Sequence, residues 1–100
     1  VTVAAPGDYS KPHPAVIIQD ELFDSLPTVT VLPLTSDLHE TPILRITVRP
    51  DAENGLRKPS QIMIDKVVTI PRTRLGEQIG RLDSGAMKSV NTALARFLGL

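Results

Sequence analysis

Cysteine and tryptophan are both absent from this chain, and only three residues are aromatic: Tyr9, Phe23 and Phe97. Without cysteine there is no disulfide staple, no thiol nucleophile and no thiolate-built zinc or iron–sulfur site, which fits a reducing compartment. With so few rings, the core must be filled by aliphatic side chains. No apolar run approaches the roughly 20 residues of a membrane-spanning helix, and no charged-then-apolar leader opens the chain. Net charge is also lacking, with 11 basic and 11 acidic residues. What is present is an ordinary globular balance, 41% hydrophobic and 22% charged over 100 residues, enough for one small core and too little for two. One domain spanning residues 1–100 is expected. The chain begins at Val1 rather than Met, so a few native residues are expected to precede it.

The zero net charge conceals an asymmetry. Residues 1–44 hold one base, Lys11, against six acids, whereas residues 45–74 hold seven bases against three acids. A basic middle of this kind can present itself to an anion, or it can simply solvate loops and strand faces.

Nine prolines divide the chain into short pieces. Val1–Ala4 reads as a strand closed by Pro6-Gly7-Asp8. The loop from Ala5 to His13 is extended, because residues ahead of Pro12 and Pro14 avoid helix. The β-branched run Ala15–Gln19 suits a strand buried on both faces. Asp20–Leu26 reads as one helical turn. Thr28–Leu32 alternates as a strand, and Pro33 argues for an edge or a bulge at its end. Ile43–Arg49 alternates again, with Leu44, Ile46 and Val48 on one face. Gln61–Ile70 reads as one further strand, after a loop that carries the turn pair Asn54-Gly55. Glu77–Leu82 can add a last strand. Met87, Val90, Leu94, Phe97 and Leu98 then recur at helical spacing, with Asp83 or Ser84 as the N-terminal cap and Gly99 at the C-terminal turn. The expected fold is therefore mainly β with a C-terminal helix: a strongly bent antiparallel sheet or small barrel.

Common catalytic motifs are missing. There is no phosphate-binding glycine loop, no HExxH and no GxSxG. His13 and His39 lie far apart in loops with no third ligand at metal spacing, so neither a metal nor any other cofactor is expected.

Several segments nevertheless carry a recognisable wording. Gly7-Asp8-Tyr9-Ser10-Lys11-Pro12-His13-Pro14, running into Ala15-Val16-Ile17-Ile18-Gln19, resembles the first loop and second strand of the MazF/PemK/Kid family of type II toxin–antitoxin endoribonucleases. Val29-Thr30-Val31-Leu32-Pro33-Leu34-Thr35-Ser36 is similar to the family's third strand. Glu53 to Gln61, Met63 to Lys66, Gly80-Arg81-Leu82 and the helix to Leu100 continue the pattern in order. The resemblance implies an SH3-like small barrel, usually a homodimer, located in the bacterial cytoplasm. It also implies metal-independent, sequence-specific cleavage of single-stranded RNA, silenced by a cognate antitoxin peptide.

The chemistry this requires can be argued from RNA itself. The nearest nucleophile is the 2′-hydroxyl, so a site needs a proton acceptor, a proton donor for the leaving oxygen, and donors for phosphoryl charge. His13 and Thr35 are the expected catalytic residues; Lys11, Ser36 and Asp65 are the expected substrate contacts. Asp65 can orient a base edge or accept the 2′ proton, and it can equally serve as a carboxylate paired with Lys66 or Arg45. His13 departs from the family, which usually carries Arg ahead of that proline. Histidine keeps acid–base capacity but loses the planar two-pronged donor. An altered chemistry, an introduced inactivating change and a natural loss of activity all remain open. The alternative to an enzyme is a module of the same fold that only binds RNA or antitoxin.

Overall fold

The structure, a computed structural model, describes residues 1–5, 13–40 and 44–100. Lys11 and most of the expected loop around it lie outside the described residues. Seven strands are found: β1 (Thr2–Ala5), β2 (His13–Ile17), β3 (Thr28–Thr35), β4 (Arg45–Val48), β5 (Ser60–Met63), β6 (Val68–Pro71) and β7 (Gln78–Gly80). One helix, α1 (Ser84–Leu98), follows them.

All pairings among the described strands are antiparallel, in the order β4-β5-β3-β2-β1-β7, with β6 added beside β3. The sheet is open, since no pairing joins β4 to β7 among the described residues. β3 is its spine. One edge pairs with β2; the other is shared, Thr28–Val31 running against β6 and Leu34–Thr35 against β5.

Three expectations change here. Pro33 does not end the third strand; it sits where β3 passes from one partner to the other, a point that tolerates a missing backbone donor. The segment Gln61–Ile70 is not one strand but two, parted by a 3-10 turn at Ile64–Lys66. That bend is what carries the chain from one half of β3 to the other. Fully buried Ile64 anchors it, and the Ile64 N–H donates to the Leu44 carbonyl at 2.9 Å. His13 is the third change. It is not a loop residue but the first residue of β2.

The aliphatic core divides between the two faces of the sheet. Val16, Leu32, Leu34, Ile62, Ile64 and Val90 belong to the cluster on one face, against which α1 lays Met87 and Leu94. Val3, Ala15, Val29 and Val31 form a smaller cluster on the other. The helix begins where Asp83 Oδ1 accepts from the Ala86 N–H at 2.7 Å, and it ends at Gly99 in the left-handed conformation. Phe97 and Leu98 remain about half exposed.

The open seam of the sheet is bridged by the loop between β4 and β5. Buried Asn54 organises this loop: its Oδ1 accepts from the Leu56 N–H at 3.0 Å, and its Nδ2 donates to the Arg49 carbonyl at 2.8 Å. The Asn54 carbonyl in turn accepts from the Thr2 hydroxyl at 2.8 Å. Gly55 has φ +73°, and a Cβ there would collide with the Ile79 carbonyl. The turn pair seen in the sequence is therefore also the contact that docks the loop against β7.

Candidate RNA-binding cleft

At one end of the sheet, the starts of β2 and β5, the end of β3 and the docked loop enclose an open cleft of about 820 Å³. His13, Ser36 and Ser60 line it from the strands, Arg57 and Lys58 from the loop, and Glu77 from the segment before β7. Arg57 and Lys58 are exposed cations with no ion pair among the described residues. They sit at this mouth because Asn54 and Gly55 fix the loop that carries them. Such a cleft offers hydroxyls, two full positive charges and an imidazole to a polyanion.

Thr35 does not line the cleft; it lies one residue from Ser36, on the alternate face of β3. It pairs with Gln61, which also pairs with Thr47. Thr35 Oγ1 accepts from the Asp37 N–H at 3.1 Å, leaving the hydroxyl proton free to donate. The β2–β3 register sets Ala15 against Pro33 and Ile17 against Val31. His13 and Ser36 both belong to the cleft wall, which Thr35 does not join.

Asp65 lies apart from the cleft, in the turn between β5 and β6. Its Oδ1 is buried without a hydrogen-bond partner, and its Oδ2 is 3.9 Å from Lys66 Nζ. Arg57 and Lys58 were legible only as part of a basic stretch; the Asn54-Gly55 turn immediately before them was the signal that marked their position. His39 was set aside in the sequence as a lone loop histidine. In the structure its main chain is gripped by Gln61, whose Oε1 accepts from the His39 N–H at 2.9 Å while its Nε2 donates to the His39 carbonyl at 2.7 Å. Among the described residues, no three His, Cys, Asp or Glu side chains gather as a metal site.

Comparison with known proteins gives this arrangement a family. Residues 1–98 match the family described as PemK-like, MazF-like toxin of type II toxin-antitoxin system. The chain is 45% identical over 100 residues to the "Probable endoribonuclease MazF" of Mycolicibacterium smegmatis, covering 99% of this chain and 92% of that protein. Its fold superposes on the Mycobacterium tuberculosis toxin MazF-mt6 with a TM-score of 0.84 at 31% identity, covering 99% and 96% of the two chains. It also superposes on a mycobacterial endoribonuclease solved in complex with its cognate antitoxin, with a TM-score of 0.82 at 23% identity, covering 99% and 92%. The open, strongly bent sheet with its C-terminal helix is that of a small toxin domain. The chain belongs to the PemK-like, MazF-like toxin family.

Proposed function

We propose that this toxin is an endoribonuclease that cuts single-stranded RNA by attack of the 2′-hydroxyl on the adjacent phosphorus. The observation that carries the reading is the convergence of His13, Ser36, Arg57 and Lys58 on one cleft. In the reaction the 2′-oxygen forms a bond to phosphorus and the bond from phosphorus to the 5′-oxygen breaks. The products are a 2′,3′-cyclic phosphate and a 5′-hydroxyl end. In this reading His13 protonates the leaving 5′-oxygen, and the Thr35 hydroxyl donates to a phosphoryl oxygen. Arg57 and Lys58 hold neighbouring phosphates, with Lys11 as a further phosphate contact. Ser36 meets a base.

The same cleft suits the acidic, disordered segment of an antitoxin, which would occupy the RNA path on folding there. Of the basic residues Arg45, Arg49, Arg57 and Lys58, only the last two line the cleft, so overlap between the two ligands centres on them. Exposed Phe97 and Leu98 and a small core point to a homodimer, in the bacterial cytoplasm where the RNA substrate resides.

End analysis of a single-stranded RNA incubated with the protein in the presence of a chelator tests the reading. Cyclic phosphate and 5′-hydroxyl ends are expected. RNA that is bound in a salt-dependent way yet left intact would instead establish the noncatalytic module.

A further inference from the structure

The reaction proposed above needs a proton acceptor as well as a donor, and the cleft supplies only one imidazole. The second, His39, follows the end of β3 and lies outside the cleft lining. Residues paired across antiparallel strands share a face, so the registers make a row of Thr35, Gln61 and Thr47 across β3, β5 and β4. Gln61 is only 6% exposed, and its carboxamide holds both main-chain groups of His39 while also donating to Thr47 Oγ1 at 3.3 Å. His39 is therefore held beside Gln61, the strand partner of Thr35.

The contacts of its ring suit a base. His39 Nε2 lies 3.2 Å from Asp37 Oδ2, and the Asp37 N–H donates to Thr35 Oγ1. A carboxylate on one ring nitrogen selects the tautomer that keeps its proton there and leaves a lone pair on the other; it also stabilises the imidazolium that forms when that lone pair takes a proton. The His39 side chain is 56% exposed and carries no packing duty. Asp65, the other group considered as acceptor, stands in the turn after β5 with its Oδ1 buried.

We propose that His39 is the general base of the RNA-cleaving reaction, an inference that rests on the endoribonuclease reading. Nδ1 of His39 takes the 2′-hydroxyl proton as the 2′-oxygen bonds to phosphorus, Asp37 steadies the resulting imidazolium, and His13 delivers a proton to the departing 5′-oxygen. One proton is taken up and one released, so the two histidines exchange protonation states over the reaction.

The test compares two RNA substrates, one natural and one with sulfur replacing the bridging 5′-oxygen at the cut site, since a thiolate leaves without being protonated. His39→Ala is expected to slow cleavage of both by about 100-fold or more, as loss of a positioned base does. His13→Ala is expected to be slow on the natural RNA and to recover on the sulfur substrate. Asp37→Asn is expected to lower kcat with little change in KM. Because Gln61 grips main-chain atoms, His39→Ala should unfold thermally at the same temperature as the parent, which separates chemistry from folding. Cleavage by His39→Ala at the parent rate would overturn the proposal, and so would recovery of that variant on the sulfur substrate. A parent protein that cuts neither RNA would instead sink the endoribonuclease reading, and this inference with it.

Discussion

Two loops flank the working end of the sheet, and each is held by one carboxamide. In the loop between β4 and β5, Asn54 is 1% exposed and ties Arg49, Asp51 and Leu56 together, while Gly55 presses against the Ile79 carbonyl. In the segment after β3, Gln61 reaches across from β5 and holds the main chain of His39, whose side chain is exposed. The first loop closes the seam of the sheet, so its amide supports the fold and positions Arg57 and Lys58 as a consequence. The second, in its described residues, presents the exposed ring of His39 rather than buried structure. The same chemical group has a different task according to how much buried structure depends on it.

Substitutions can break that contrast. Gly55→Val combines a left-handed backbone with a collision against main chain and should destabilise by more than about 4 kcal/mol, to the point of failing to fold on expression. Asn54→Leu strands at least a buried carbonyl and an amide and should lose about 3 kcal/mol in urea titration. Gln61→Leu should lose only about 1–2 kcal/mol in the same measurement, yet reduce RNA cleavage more than Asn54→Leu does once both are assayed folded. Equal ratios of activity to stability loss in these two variants would erase the distinction between the loops. Reversing Arg57 and Lys58 to Glu should leave stability within about 0.5 kcal/mol while weakening RNA and antitoxin-peptide affinity together and flattening the salt dependence of RNA binding. Unchanged peptide affinity would show that the two ligands use different surfaces. Smallest of all, Asp83→Ala should cost about 1 kcal/mol through loss of the helix cap, with cleavage unaffected.

Much of the architecture was legible because it is written in short-range patterns. The helix showed itself in the spacing of Met87, Val90 and Leu94, and its ends in Asp83 and Gly99. The strands showed themselves in alternation, and the family in runs such as Val29 to Ser36. The break between β5 and β6 was not legible, since Ile62, Ile64, Val68 and Ile70 read continuously as strand and only the divided edge of β3 demands a turn. Among site residues, His13, Thr35 and Ser36 stood out as motif positions at strand ends. His39 did not, because its place depends on a side-chain-to-main-chain bond to a residue 22 positions away. No periodicity in a sequence reports such a bond. Arg57 and Lys58 were visible as charge, but their shared orientation depended on Gly55 meeting Ile79.

The divided edge of β3 also governs when the molecule comes into being. Half of that edge is satisfied by residues 60–63 and half by residues 68–71, and β1 meets its outer partner only at residues 78–80. A chain emerging from the ribosome therefore holds β1 to β3 with an open edge until most of the sequence has been made, and the helix that covers the larger core cluster arrives last. Non-local pairing of this kind delays productive folding until the distant partners exist. A chain that has not yet made β5 and β7 has no docked Arg57–Lys58 loop and no pairing of Thr35 with Gln61. Synthesis itself thus delays the proposed cleavage until those elements exist, and opens an interval in which an antitoxin can meet the new chain as it folds.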